Sequence, residues 1–221
     1  MNFSVMALIA VMTVISAAPD GAVPVEQEPE HRTVLKNDYV QAFRVTLAPG
    51  KATGMHIHAN DDAAVRLSTA TVTSDSPGMP AGAPESRAAG FVSARKNEPT
   101  ALMHRVRNVG TTIFDVIDVQ ILKRPDGPAA PPISVSAAEN PQMRVYRYDL
   151  APGAGSAQHT HARPYLLVAA TDMNLRMTSP DGGSMAHLIK AGDLHWVEAA
   201  VTHTFVNDGK EPGVLVEFEL K

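Results

Sequence analysis

The stretch that decides the fold is residues 43–58, which read FRVTLAPGKATGMHIH and recur in altered form later in the chain. The second copy, residues 146–161, reads YRYDLAPGAGSAQHTH, with the same Leu-Ala-Pro-Gly turn and the same His-x-His pattern at an offset of 103 residues. Internal similarity at one fixed period indicates a duplicated structural unit. The sequence therefore predicts two domains of one fold.

A second pair of matching segments supports the duplication. His104 is followed four residues later by Asn108, and His203 is followed in the same way by Asn207, at an offset of 99 residues. The difference between the two offsets, 103 − 99 = 4 residues, fits a longer loop in the first half. Residues 74–90, rich in Pro, Gly, Ala and Ser, have the composition of that loop.

The segments around these motifs have the composition of β-strands. Val, Ile, Leu and Thr form short runs bounded by Gly and Pro, and no stretch carries a helical period. We expect strands at residues 65–73, 113–122, 166–178 and 214–220. The predicted class is all-β, with an antiparallel barrel or sandwich in each half.

The expected domain boundaries follow from the repeat and from local composition. Residues 31–124 form the first barrel and residues 135–221 the second, joined by a Pro-rich linker at 125–134. Residues 1–18 hold a short apolar run followed by small residues, which indicates a signal peptide and export to the periplasm or medium; a buried first strand is the alternative. The acidic residues 19–30 then form a disordered leader.

Composition limits the possible partners. The formal net charge is −4, and the Lys and Arg residues do not gather in a basic stripe, which argues against nucleic acid as a partner. The apolar run near the N-terminus is too short to span a bilayer, so no stable membrane anchor is expected. The chain has no cysteine, which excludes disulfides and thiolate ligands. Any metal must be held by nitrogen or oxygen.

The histidines are the candidate metal ligands. Side chains two residues apart on a strand share a face, so each His-x-His pair can point into its barrel, and a lone histidine on a facing strand can complete the set. One such pair could be a surface feature, but its recurrence favours a metal site open to Fe, Mn, Ni, Zn, Co or Cu. The two predicted trios are His56, His58 and His104 in the first half and His159, His161 and His203 in the second.

These motifs resemble those of the cupin superfamily over residues 31–221. Cupins carry a Gly, a short spacer, His-x-His and a Glu, and then a second motif that ends in His and Asn; Gly50 and Gly153 precede the two pairs here. The resemblance implies two tandem cupin barrels (double-stranded β-helix, or jelly roll), each with one divalent metal ion and a small-molecule ligand or substrate. It also implies a monomer whose two barrels pair within the chain, or a homodimer.

The chain departs from the cupin pattern at several positions, two of which are candidate site residues. The cupin Glu of the first motif is replaced by Asp62 in the first half and by Tyr165 in the second. Asp62 could reach the metal as a ligand, or could be a solvated loop carboxylate. Tyr165 could coordinate, donate a hydrogen bond to an oxyanion or serve as a catalytic acid or base, or it could be a plain core aromatic.

Four other residues are given no direct role in the sites. His31, at the end of the predicted leader, is expected to be exposed. His187 and His195 are expected to face solvent or to support the ligands, and Trp196, the only tryptophan, to fill the core.

Two functions remain open. The resemblance implies a metal-dependent enzyme of oxygenase, isomerase or lyase type, similar to the bicupin dioxygenases, that acts on a small organic molecule. The alternative is a non-catalytic protein that binds metal or a small ligand, because the usual Glu is missing. A division of labour is a third hypothesis, with the second barrel active and the first a packing partner.

Overall fold

The computed structural model describes residues 21–221, so the predicted signal peptide at residues 1–18 lies outside the described residues. Strands account for 51% of the structure and helix for 2%, which confirms the all-β prediction. Within the described part of the chain, no helix has the length and apolar character needed to cross a membrane. The strands of the first half are β1 (Val23–Pro24), β2 (His31–Lys36), β3 (Val40–Leu47), β4 (His56–His58), β5 (Asp62–Arg66), β6 (Ala70–Asp75), β7 (Glu85–Arg87), β8 (Val92–Arg95), β9 (Leu102–Asn108) and β10 (Phe114–Ile121).

The second half repeats this pattern. Its strands are β11 (Ala138–Glu139), β12 (Met143–Leu150), β13 (His159–His161), β14 (Tyr165–Ala169), β15 (Met173–Thr178), β16 (Ser184–Ile189), β17 (Leu194–Val197), β18 (Val201–Asn207) and β19 (Gly213–Leu220).

Each half closes into a barrel of two facing sheets. The first barrel has the strand orders β1-β4-β9-β6-β7 and β2-β3-β10-β5-β8, and the second has β11-β12-β19-β14-β17 and β13-β18-β15-β16. In both barrels the short His-x-His strand pairs with the strand of the lone histidine, and a long central strand, β10 or β19, runs through the other sheet. Each barrel has its own apolar interior, with Phe114 and Val116 in the first and Phe205 and Leu215 in the second.

The two barrels pack face to face within the chain. Ile117 and Val119 of β10 and Val216 and Phe218 of β19 are fully buried in one continuous core that spans both barrels. The alternate residues of β10 and β19 point into their own barrels. Both strands are therefore buried on both faces. Association of two chains into a homodimer stays a prediction.

Residues 21–30 form structure rather than a disordered leader. β1 pairs in parallel with β4, with Val23 opposite His56, and a 3-10 turn at Val25–Gln27 buries Val25. His31 then begins β2 and is only 8% exposed. The predictions of a disordered segment at these residues and of an exposed His31 are wrong, because the segment adds an edge strand beside the His-x-His pair.

Two of the predicted strands are each broken in two. The stretch 65–73 contains the end of β5 and the start of β6, and the stretch 166–178 contains β14 and β15. A short turn after β5 or β14 carries the chain from one sheet of its barrel to the other. Periodicity alone did not show these turns, because both flanking strands are rich in apolar residues.

Candidate metal centres

The second barrel brings three histidines and one carboxylate together. His159 of β13 lies opposite His203 of β18, with their Nε2 atoms 2.8 Å apart. The Nε2 atoms of His161, His203 and His159 lie 3.3, 3.5 and 3.7 Å from carboxylate oxygens of Glu217 on β19. Each of the four residues offers a ligand atom within 4.8 Å of the others. We call these four residues the second centre; three imidazoles and one carboxylate suit a divalent transition metal.

Neighbouring oxygens orient two of these imidazoles. The Nδ1 of His159 lies 2.9 Å from the carbonyl oxygen of Ala157, and the Nδ1 of His161 lies 3.0 Å from a carboxylate oxygen of Glu219. An imidazole that donates its Nδ1 proton in this way presents an unprotonated Nε2 to a metal. The arrangement therefore selects the tautomer that coordination needs.

Glu217 and Glu219 reverse the effect of burial on the pKa of His161. Burial alone lowers the pKa of an imidazole, but hydrogen bonds and charge from these two carboxylates raise the pKa of His161 to about 9. Burial opposes ionisation of Glu217, yet its contacts of 3.3 to 3.7 Å with the Nε2 atoms of His159, His161 and His203 hold its pKa well below the ordinary value. Without metal, His161 is thus protonated at neutral pH beside an ionised Glu217.

The first barrel gathers the equivalent histidines. His56 of β4 lies opposite His104 of β9, and the ring centroids of His56, His58 and His104 are 4.6 to 5.2 Å apart. The Nδ1 atoms of His56 and His104 lie 2.9 Å from the Gly54 carbonyl oxygen and the Ser74 hydroxyl. The Nε2 atoms of all three rings are buried and have no hydrogen-bond partner. Unpaired buried nitrogens are costly unless a ligand such as a metal pairs with them.

His31 is a fourth histidine in this cluster that the sequence analysis missed. Its ring centroid lies 4.4 Å from that of His56 and 5.9 Å from that of His58. In the first barrel, as far as the structure describes it, the histidines with ligand atoms within 4.8 Å of one another are His31, His56 and His58, so His104 contacts the set without joining it at that distance. The Nδ1 of His31 is 2.6 Å from a carboxylate oxygen of Glu28, which orients the ring. We call the four histidines the first centre.

Two imidazoles of the first centre, those of His56 and His104, are neutral without metal. Burial lowers the pKa of His56 to about 4, and burial together with the charge of His56 places the pKa of His104 lower still. Neutral imidazole is the form that binds a metal. At neutral pH these two ligands therefore need not lose a proton on coordination, whereas His161 of the second centre must.

Asp62, a predicted ligand, lies behind His58. One of its oxygens is 3.2 Å from His58 Nδ1, and its carboxylate also accepts hydrogen bonds of 2.7 Å from Arg95 and 2.8 Å from Asn97. Burial would raise the pKa of Asp62, but Arg95 and His58 lower it. Asp118 of β10 is 3.5 Å from the same His58 nitrogen, and burial together with Asp62 raises its pKa. His58, Asp62 and Asp118 also form a possible ligand group, but these contacts make Asp62 better placed to orient His58.

Tyr165, the predicted catalytic residue, is packed against a candidate ligand. Its ring stacks on His161 with centroids 3.9 Å apart, and its hydroxyl is buried without a hydrogen-bond partner. Burial, with Glu217 and Glu219 nearby, raises the pKa of the phenol. A phenol held neutral in this way is poorly suited to acid–base chemistry, so the geometry favours the core-aromatic alternative.

The sequence analysis also missed the acidic residues of the last strand in each barrel. Asp118 and Glu217 are separated by 99 residues, the same offset as His104 and His203. That shared offset was the available signal, because it places one acidic residue per repeat at a fixed distance from the lone histidine. The carboxylate expected after the His-x-His motif is thus supplied to the second centre by β19.

The comparisons with known proteins agree with this geometry. A 93-residue stretch, 42% of the chain, is 33% identical to the Beta-alanine degradation protein BauB of Pseudomonas aeruginosa and covers 94% of that protein. The fold resembles that of the Cupin 2 conserved barrel domain protein from Leptotrichia buccalis, with a TM-score of 0.51 and 10% identity over 86% of this chain and 87% of the other. The chain belongs to the cupin superfamily. No family model matches it.

Two enzymes of known structure have a fold similar to that of this chain. Salicylate 1,2-dioxygenase from Pseudoaminobacter salicylatoxidans, in complex with gentisate, gives a TM-score of 0.57 and 11% identity over 93% of this chain and 76% of the enzyme. Oxalate decarboxylase from Bacillus subtilis, which has Mn(II) centres, gives 0.50 and 15% over 83% and 69%. At these identities the similarity shows the fold alone.

The two cupin barrels differ in the space beside their centres. In the first barrel a cavity of about 340 Å³ is lined by the four histidines, by Arg66 and Arg95, and by apolar side chains such as Phe91. A cavity of about 430 Å³ in the second barrel is lined mainly by apolar residues, together with Asp193 and the exposed His187 and His195, and none of its lining residues belongs to the second centre. The first centre therefore opens into a cavity of small-molecule size.

Proposed function

We propose that the protein is a metal-dependent cupin enzyme that converts a small organic molecule at its first centre. The observation that carries this proposal is the cavity of about 340 Å³ onto which all four histidines of that centre open. A divalent ion bound there would act as a Lewis acid or bind dioxygen. Oxygenase, isomerase and lyase chemistry are all compatible with this role, and the identity of the metal stays open among Fe, Mn, Ni, Zn, Co and Cu.

The surrounding residues would keep the ligand atoms directed toward the cavity. Asp62 lies 3.2 Å from His58 Nδ1, and Arg95 neutralises part of the negative charge behind that ring. Glu28 holds His31 through a contact of 2.6 Å. His31 leaves its other ring nitrogen for a metal or for a proton of the substrate, a role for which the sequence had suggested Tyr165.

We propose a different role for the second centre. Its four ligands do not line the cavity of the second barrel, whereas all four histidines of the first centre line a cavity. A four-ligand set that does not border the cavity of its barrel suits a metal that stabilises the barrel. This assigns the non-catalytic metal-binding hypothesis to the second barrel and reverses the division of labour considered from the sequence. Export from the cell stays a prediction.

Matched variants at equivalent positions of the repeat test the proposal. His56→Ala and His159→Ala each remove one imidazole whose Nδ1 lies next to a backbone carbonyl. Both variants keep the imidazoles that contact Asp62 and Glu219. We expect two metal equivalents per wild-type chain and one in each variant. Turnover of a panel of small organic acids and alcohols, followed by product analysis and oxygen uptake, should disappear in His56→Ala and persist in His159→Ala.

Azide binding to the Co(II)-loaded proteins provides a readout that needs no substrate. Azide should change the visible spectrum of the wild type and of His159→Ala, because the first centre opens into a cavity, and should leave His56→Ala unchanged. The opposite pattern would show that the second centre is the accessible one. Full metal loading without turnover of any compound would instead support a binding protein.

A further inference from the structure

The cavity beside the first centre contains a cationic group without a matching anion. Arg66 is the last residue of β5, and its Nη1 is buried without a hydrogen-bond partner among residues 21–221. Its guanidinium carbon lies 4.1 Å from the centroid of the Phe114 ring, which also lines the cavity. Buried guanidinium N–H groups are strong donors to carboxylates, and leaving one unpaired is costly.

The other charged groups of the cavity wall already have partners. Arg95 is bound by Asp62 at 2.7 Å and approached by Asp118 at 3.6 Å, and Glu85 is paired with Arg87. Arg66 stays positively charged at neutral pH, because burial lowers its pKa only to about 10 and the charge of Glu85, which forms no salt bridge with Arg66, opposes that fall. Of the cations in this cavity wall, Arg66 can therefore pair with an incoming anion while losing the fewest existing contacts.

The strand register fixes where Arg66 lies relative to the histidines. Asp62, Ala64 and Arg66 alternate along β5 and all contribute to the first barrel's interior, whereas Val65 belongs to the core between the barrels. At about 3.3 Å per residue, the Cα of Arg66 is roughly 13 Å along the strand from that of Asp62. Ala64 lies between Asp62 and Arg66 on the same face of β5, and its small side chain leaves space between them.

The second barrel provides an internal comparison. The residue equivalent to Arg66, at the offset of 103, is Ala169, which lines the apolar cavity of the second barrel. Of these two equivalent positions, the one with an arginine is therefore in the barrel whose histidines open into a cavity. Apolar side chains, Phe91 and Phe114 among them, line the same space as Arg66.

From this arrangement we infer that the first barrel binds a small carboxylic acid with an apolar body, and that Arg66 binds its carboxylate while the rest of the molecule extends toward the histidines. This inference rests on the proposed function, since it names the substrate class of that site. The carboxylate contact itself does not depend on turnover or on bound metal. Its failure can therefore be distinguished from a failure of the proposed function.

Calorimetric titration of the full chain with benzoate and with benzamide tests the inference. The two probes share an apolar ring, but only benzoate carries a carboxylate. We expect wild type to bind benzoate about tenfold or more tightly than benzamide, in both metal-free and metal-loaded protein, because a charge-assisted hydrogen bond corresponds to at least that ratio. Arg66→Gln should lose this preference and keep its affinity for benzamide and its metal content.

Arg66→Lys guards against a folding defect in Arg66→Gln. It keeps the charge and should retain part of the preference for benzoate, while Arg105→Gln, which alters an exposed arginine on β9, should behave as wild type. Equal affinity of wild type and Arg66→Gln for benzoate would overturn the inference. So would the absence of benzoate binding to wild type at about 10 mM, a concentration at which even a weak specific contact is detectable.

Discussion

Raising the pH should destabilise the metal-free protein through the second centre. The pKa of His161 is raised from 6.5 to about 9 in the folded chain by Glu217 and Glu219, against the opposing effect of burial. A folded-state pKa above the unfolded value stabilises the fold while the group is protonated. This contribution is complete below about pH 6.5 and is lost as the pH rises through 9. The difference of 9 − 6.5 pKa units, at 1.36 kcal/mol for each, gives about 3 kcal/mol.

The single tryptophan allows this loss to be measured in the relevant barrel. Trp196 lies on β17 of the second barrel and stacks on Tyr39 of the first, so its fluorescence reports on that barrel and its interface. Urea unfolding of chelator-treated protein should give a free energy of unfolding that falls by about 3 kcal/mol between pH 6.5 and 9. Glu217→Gln removes one of the two carboxylates and should reduce the fall.

Metal should remove the same pH dependence, because coordination replaces the proton on His161. A free energy of unfolding that stays level or increases over this pH range in the metal-free protein would refute the reasoning. It would mean that His161 is already neutral at pH 6.5 and that Glu217 and Glu219 do not hold a proton on it.

Two further substitutions examine single contacts of the two centres. Ser74→Ala removes the hydroxyl that lies 2.9 Å from His104 Nδ1. It should weaken metal binding at the first centre about 10- to 100-fold and leave the affinity of the second centre unchanged. Competition with a chelator would measure both affinities, and equal weakening at both centres would contradict the assignment. Tyr165→Phe removes a buried hydroxyl without a partner, and should leave metal content and turnover unchanged, whereas a loss of turnover with full metal content would restore the catalytic role suggested by the sequence.

The sequence was sufficient to predict the fold and the six repeated histidines. The His-x-His pairs and the lone histidines carry the repeat, and alternation along a strand fixes their common face. His56 opposite His104 and His159 opposite His203 show why this worked, since each pair joins adjacent antiparallel strands at matching positions of the repeat. Local periodicity and duplication together contained that information.

The residues that the sequence analysis missed depend on long-range packing. Glu217 alternates with apolar neighbours on β19, a pattern that is typical of a strand with one solvent-facing side. Here Val216 and Phe218 face the other barrel, so Glu217 faces the interior instead. His31 was missed for a related reason, because only the pairing of β1 with β4 brings the N-terminal segment next to the histidines.

An arginine that is present in only one of the repeats contributes to the difference between the two centres. Arg95 of β8 lies opposite Asp62, whereas the equivalent position of β17 is Val197, opposite Tyr165. In the first barrel Arg95 attracts the carboxylate of Asp118, with 3.6 Å between the nearest charged atoms, and the carboxylates of Asp62 and Asp118 contact the cluster through His58 Nδ1.

Without an arginine at Val197, the carboxylate of Glu217 remains among the three Nε2 atoms of the second centre. Glu217 is also one methylene longer than Asp118, which extends its reach toward those atoms. The same duplicated strands thus produce one centre that includes a carboxylate and is closed, and another that is rich in histidine and faces a cavity. Residues beside the ligands, rather than the histidines themselves, separate a site suited to holding a metal from one suited to chemistry on a bound molecule.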